Sequence, residues 1–480
     1  MPLRPMPLRF RRLPSLALIG AAVWLASCSG NRGLNGNGAT PPGGGLGGTV
    51  TLTMSAAATC GGGSPFTAVW LTIADVEASP NANAPAGDAS FVDLTPQLKS
   101  APEQINLLGS PSQCVLATLA SAVPATSEKY AQIRVFLAPD SEAGSIANNA
   151  CGTYANCATS AGGTAPIAVG GAATQGIALS GAALDGGFTV TSGATATVNV
   201  NFDICAALAA GANGQLSLNP QLSGGAINAQ ADTISGAFED AATQAAVSGP
   251  VLVALEQNEN GTDRVLMQTF AGASGGFQFC PVPAGNYEIV AGAESSTGGQ
   301  YSPTAVLQVP NGASLSSPPL PLYAGNGANA EPATIAATLT SAGAAGVAVP
   351  VLTTLTLQAA VTPSAGATYS LAIPLPEEPS AAMSLLTATG ASCPTGTACT
   401  GPITLSVPAV FVSFGQYAGS GAQIENNTSL SAAYLLDAQA SSTAAARQPD
   451  CTPSEVTENP GQISPQADLT APPLTFTACQ

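Results

Sequence analysis

The chain has 480 residues, with 10 Lys and Arg against 27 Asp and Glu, no histidine, and a formal net charge of −17. Nucleic-acid binding needs a basic footprint that neutralises phosphates, and attraction to anionic headgroups needs the same; neither is present. A Ser-His-Asp triad is impossible without histidine, zinc loses its usual nitrogen ligand, and a hydrophobic content of 45% argues against wholesale disorder.

Arg4, Arg9, Arg11 and Arg12 form a positive start, and residues 13–25 are apolar apart from Pro14, Ser15 and Gly20. With the small residues Ala26 and Ser27 this reads as a secretory signal over residues 1–27, too short to span a bilayer. Leu25-Ala26-Ser27-Cys28 resembles the lipobox of bacterial lipoproteins at all four positions. The resemblance implies cleavage before Cys28, acylation of Cys28 (palmitate among the chains), and a membrane partner reached through lipid. Ser29, standing where an Asp often signals inner-membrane retention, implies the outer membrane. Basic residues after the signal are Arg32, Lys99, Lys129, Arg134, Arg264 and Arg447, scattered along the chain.

Residues 28–48 are rich in Gly, Asn and Pro and read as a flexible tether. Beyond it the pattern is β. Residues 49–55 alternate Val50, Leu52 and Met54 with threonines. Residues 132–138 place Ile133, Val135 and Leu137 on one face and Gln132 and Arg134 on the other. Residues 195–203 set Val198, Val200 and Phe202 against Thr197, Asn199, Asn201 and Asp203. Period-two alternation predicts half-buried strands. The best helical candidate is residues 111–123, around Leu116 and Leu119. Short strands with Gly-rich turns predict an all-β fold of tandem β-sandwich domains. Composition divides the chain into 49–223, 232–322 and 331–480, with polar joins at 224–231 and 323–330.

The first of these regions resembles a family of bacterial lipoprotein domains without an assigned function. The matching pieces are Gly48-Thr49-Val50-Thr51-Leu52, the run from Phe66 to Glu77, Phe91-Val92-Asp93-Leu94, Ile105-Asn106-Leu107-Leu108, Tyr130-Ala131-Gln132-Ile133-Arg134, Val198 to Asp203, and Leu216 to Pro220. The second resembles a carboxypeptidase-regulatory-like, transthyretin-like sandwich with an Ig-like outline. Ile234-Ser235-Gly236, Val251 to Leu255, Gly276-Phe277-Gln278-Phe279 and Val282-Pro283-Ala284-Gly285-Asn286-Tyr287 carry that likeness. Its broader fold is shared with carbohydrate-binding modules. The third region is read as a further β-rich domain from its apolar runs.

Beyond Cys28 stand Cys60, Cys114, Cys151, Cys157, Cys205, Cys280, Cys393, Cys399, Cys451 and Cys479. An even set in an exported chain reads as disulfides. Cys151/Cys157 and Cys393/Cys399 are close enough to staple turns. Cys60–Cys114 and Cys451–Cys479 are the further pairs expected, which leaves Cys205–Cys280 across a domain boundary.

Gly272-Ala273-Ser274-Gly275-Gly276 fits the G-x-S-x-G elbow of serine hydrolases, but without histidine it reads as a glycine-rich turn. Gly43, Gly45 and Gly48 satisfy G-x-G-x-x-G in a segment that opens a strand, the wrong context for a dinucleotide site. The close carboxylates Asp75/Glu77, Asp140/Glu142, Glu239/Asp240 and Glu377/Glu378 read as solvated acids, with calcium as the rival. Trp70, the one tryptophan after the signal, is expected in the core. These readings describe a non-enzymatic cell-envelope lipoprotein with a structural, adhesion or ligand-capture role. It carries no cofactor or metal and binds no nucleic acid; glycans or other envelope proteins are its expected partners. A carbohydrate-binding lipoprotein is the alternative and an envelope hydrolase the weaker one.

Overall fold

A computed structural model describes residues 47–56, 66–108, 114–204, 208–210, 216–218, 222–227, 233–259, 261–296, 299–325, 331–343, 351–363, 366–376, 384–387, 398–419, 421–426, 432–442, 451–453 and 455–479. The expected signal, Cys28 and the expected tether up to residue 46 lie outside them, as do Cys60, Cys205, Cys393, Glu377 and Glu378. Residues 45–480 form one compact unit, and its described elements are almost all strands. No helix among the described residues is long and apolar enough to cross a membrane.

The first region packs two sheets. One runs Leu222–Ala226, Thr195–Phe202, Gly48–Ala56, Ala117–Ala125, with the two middle strands parallel. The other is organised on the long strand Phe66–Ser79, which pairs with Gln132–Leu137 on one side and with Glu103–Asn106 and Cys157–Ser160 elsewhere along its length. Val50, Leu52, Met54, Val198, Val200 and Phe202 meet Leu71, Ile73, Ile133 and Val135 in a single core. The expected alternation is present, yet the polar face is buried too. Thr53 Oγ1 donates to Asn199 Oδ1 (3.0 Å), Asn199 Nδ2 to Ser55 Oγ (2.8 Å), and Ser55 Oγ to Asn201 Oδ1 (3.1 Å). Ser223 Oγ then reaches Leu266 O of the next sheet at 2.7 Å. Buried polar groups require such partners.

Of the expected helix over residues 111–123, residues 111–113 lie outside the described residues and the rest is not helical. Ala117–Ala125 is an edge strand, antiparallel to Gly48–Ala56. Pro124 removes a donor, which an edge strand tolerates and a helix interior does not.

The second region sets a short sheet, Gly276–Phe279, Ile234–Asp240, Ser314–Leu322, against a longer one, Thr262–Phe270, Val251–Glu259, Asn286–Ala293, Thr304–Pro310. Phe238, Phe277 and Phe279 pack there on Val253, Leu255, Tyr287 and Ile289. The longer sheet gains a fifth strand, Ser413–Gln416, parallel to Thr304–Pro310 and drawn from the third region. Its outer face is also covered: Val290, Ala305 and Leu307 belong to the third region's core, with Ile335, Leu355, Leu357, Tyr434 and Phe476. One sheet therefore serves two cores. Gly292 marks how close the approach is, since a Cβ there would sit 1.9 Å from Pro374 O. The third region builds its own layers on Ala333–Gly343 with Cys399–Val407, and on Val351–Val361 with Tyr369–Ala372 and Ala432–Ser442.

Cys151–Cys157 and Cys451–Cys479 are bonded, two of the expected pairs. Cys399 is also disulfide-bonded. The expected Cys60–Cys114 and Cys205–Cys280 pairs are corrected by the bond Cys114–Cys280, whose Cα atoms lie 5.0 Å apart. Gln278 Nε2 rests on both of its sulfurs, 3.6 Å from Cys114 and 3.4 Å from Cys280.

Candidate functional site

Two clusters of ionisable side chains stand out. The first lies on the long strand of the first region. Asp75 and Glu77 leave Phe66–Ser79 two residues apart, and the pairing Glu77↔Asp93 brings in a third carboxylate. Lys99 Nζ closes the group, 2.9 Å from Asp75 Oδ2, 2.8 Å from Asp93 Oδ2 and 3.7 Å from Glu77 Oε1. Thr95 fixes it from within: its hydroxyl donates to Asp75 Oδ1 at 3.1 Å and accepts the Val76 N–H at 2.7 Å. Burial pushes the Asp75 carboxyl up against the opposing pull of Lys99, and burial with the Asp75 charge raises Glu77. Hydrogen bonding to Asp93 raises Lys99 despite some desolvation, so the amine stays protonated. A protonated ammonium is a countercharge and not a nucleophile. It occupies the position a cation would otherwise take.

The second cluster lies where the longer sheet of the second region meets the third. Glu256 and Glu288 are direct cross-strand partners, a placement that sets their Cβ atoms about 5 Å apart. Asp263 follows on the neighbouring strand. All three are buried, and Glu256 Oε1, Asp263 Oδ2 and Glu288 Oε2 each have no hydrogen-bond partner among the described residues. Burial is the main cause raising each of them: Glu256 well above the carboxylate range, Asp263 to about 6 and Glu288 to about 8. Asp263 adds to the rise of both glutamates, and Glu288 adds to that of Glu256. Glu256 Oε2 accepts the N–H of Ala372 from the third region at 2.9 Å. Beside them Arg264 is committed elsewhere, to Asp437 Oδ2 (2.5 Å) and Glu455 Oε1 (2.9 Å), both also in the third region. Gln358 Nε2 donates to the same Asp437 oxygen at 3.0 Å. Burial holds Asp437 up at about 6 even so.

The remaining sequence candidates fall apart in space. Residues 272–276 form a tight turn in which Gly275 N–H donates to Gly272 O. Gly275 has φ +77° and its backbone lies so near Phe238 that a Cβ would be 2.1 Å from the carbonyl oxygen. Glycine is thus required there for the turn, and Ser274 is exposed. Asp140 accepts the Ala155 N–H at 2.8 Å. Asp240, beside Glu239, caps its own turn through Thr243 and takes the Tyr301 hydroxyl at 2.9 Å. Trp70 is half-buried, short of the core position expected. In the 258–264 hairpin Asn258 is spent on Gly261 N–H and Asp263. Among the described residues no group of three or more His, Cys, Asp or Glu is arranged to hold a metal ion.

Sequence reasoning reached Asp75 and Glu77 but not Lys99 and Asp93 as their partners, although both stand within the stretch of resemblance. It missed Glu256, Asp263 and Glu288 altogether. An acid in mid-strand, where an apolar residue is expected, was the available signal.

These geometries can be set beside known proteins. Residues 47–220 match a domain of unknown function, DUF4382. The Lys99 cluster lies inside the matched residues and the Glu256 cluster outside them. No curated protein matches the chain. Among solved structures, the TIE protein of Bacillus anthracis is 8% identical with a TM-score of 0.16, covering 90% of this chain and 50% of its own, so the chain spans about half of that protein's length. A DUF3823 family protein from Bacteroides uniformis is 10% identical, TM-score 0.15, with 49% of this chain and 99% of that one covered. The shaft pilin SpaA from Lactobacillus rhamnosus GG is 13% identical, TM-score 0.16, with 58% and 97% covered. At such scores the likenesses carry no argument, and the all-β reading rests on the strands themselves.

Proposed function

We propose that the protein is a non-enzymatic, lipid-anchored component of the cell envelope, held at the outer membrane through Cys28 and serving a structural or adhesive role. The observation that supports this reading best is the Cys114–Cys280 bond. Disulfides persist in oxidising, extracytoplasmic compartments. This one joins the DUF4382 domain to the sheet that follows it, so it acts on cohesion between domains. The charged side chains agree, since Lys99 gathers strands of one domain and Arg264 ties the second region to the third.

The test uses the full chain, expressed with a signal-competent host and a clickable fatty acid. Wild type is expected to carry the label and to fractionate with membranes. Cys28→Ala is expected to lose both. Label and membrane association retained by Cys28→Ala would overturn the anchor. Turnover of an ester, peptide or glycoside by the purified protein would overturn the non-enzymatic role.

A further inference from the structure

We propose that Glu256, Glu288 and Asp263 form a proton-operated latch that holds the third region on the outer face of the middle sheet and releases it as the carboxyls ionise.

The argument starts from placement. The strand Tyr369–Ala372 lies across Thr262–Phe270, Val251–Glu259 and Asn286–Ala293, and its last residue donates its N–H to Glu256 Oε2. The three carboxyls stand beneath that contact, each with an oxygen that is buried and unpartnered among the described residues. An ionised carboxylate removed from water without a partner is costly. Three within one site repel each other as well.

The charged and titratable groups facing the site from its neighbours are few. Arg264 comes from Thr262–Phe270 but is bound by Asp437 of Ala432–Ser442 and by Glu455 of Glu455–Glu458. Tyr369 of the covering strand receives Gln308 Nε2 on its hydroxyl at 2.9 Å. A backbone N–H at Gln308 favours charge on Glu288, but burial outweighs it. None of these supplies a cation to the three carboxyls. Protons neutralise them instead, and a protonated carboxyl next to a bare oxygen can donate to it.

The sign follows from the direction of the shifts. A carboxyl raised in the folded state binds its proton more tightly when folded than when unfolded. Its contribution is complete below the ordinary carboxyl range and is lost as pH rises through the folded value. For Asp263 the loss is spread up to about 6 and for Glu288 up to about 8. The latch is therefore closed in mild acid and strained in base, the reverse of a junction built on ordinary ion pairs.

Hydrogen exchange on the full mature chain tests this, read at amides of residues 369–375 and corrected for intrinsic exchange chemistry. From about pH 5 to about pH 9 the opening constant of this segment is expected to rise, by up to about tenfold per pH unit for each carboxyl inside its window. Amides in the DUF4382 core, such as Leu71 and Ile73, serve as internal controls and are expected to change far less. In Glu256→Gln/Glu288→Gln the rise is expected to flatten while the pH 5 protection is kept. Glu288→Gln alone, which leaves the Ala372 bond intact, is expected to remove part of the rise. Protection at 369–375 that does not fall with pH in wild type overturns the proposal. So does an unchanged slope in both variants, or recovery of wild-type protection at high pH on adding calcium alone, which would make the cluster a cation site.

Discussion

Cys114 and Cys280 are bonded across 166 residues of sequence, one leading into the edge strand of the first region, the other directly following a strand of the middle sandwich. The link ties two cores that otherwise communicate through contacts such as Ser223 with Leu266. Cross-linking so long a loop restricts the unfolded chain strongly, worth up to about 5 kcal/mol in the loop-entropy account. Cys114→Ala/Cys280→Ala is expected to lower the denaturation midpoint by several kcal/mol equivalent. The loss should match that caused by selective reduction in wild type.

Lys99 is half exposed, so the penalty for removing it is modest in spite of its three carboxylate neighbours. Lys99→Met is expected to cost about 1 kcal/mol near neutral pH after allowing for solvent screening. The penalty has a direction in pH. Without the ammonium, Asp75 and Glu77 rise further above their already raised values. The difference from wild type should vanish where the carboxyls are protonated and grow as pH rises. Paired thermal melts at acidic and neutral pH measure it.

Arg264 is a different case, because Asp437 beneath it is almost wholly buried, at 1% side-chain exposure. Removing one partner of a buried pair leaves an uncompensated charge, at about 3 to 5 kcal/mol. Arg264→Met is therefore expected to be among the more damaging single substitutions, more so at pH above about 6, where Asp437 ionises. Asp437→Asn in the same chain should recover part of the loss. Urea unfolding of the two singles and the double closes the cycle.

The turn at residues 272–276 offers a sharp contrast within one motif. Gly275→Ala meets both a positive φ and the Phe238 carbonyl and is expected to cost about 1 to 3 kcal/mol. Ser274→Ala, at an exposed site, is expected to stay within about 0.5 kcal/mol of wild type. Equal effects of the two, by denaturant melts, would contradict the turn described.

Local pattern was the legible part of this fold. The alternation at Val198, Val200 and Phe202 marks a strand because apolar side chains at period two must share a face. What it does not show is the fate of the other face. Asn199 and Asn201 look solvated in sequence, yet they form a buried ladder with Thr53, Ser55 and Ser223, residues distant along the chain. Arg134 likewise reads as an outward residue but is buried, its guanidinium donating to Gln175 O and Ala84 O. Leu116 and Leu119 imitate helical spacing where pairing with Gly48–Ala56 decides for a strand. The pairing of Cys114, and the meeting of Glu256 with Glu288, depend on which strands become neighbours. Periodicity along one segment carries no information on that.

The parallel pairing of Ser413–Gln416 with Thr304–Pro310 also constrains the order of events when the chain folds. The middle sheet cannot satisfy the backbone groups of that edge until the polypeptide has run on to Gln416. Until then the edge is open to pairing with any other strand it meets. A contact of such long sequence separation forms slowly, so completion of this sandwich waits on its C-terminal neighbour.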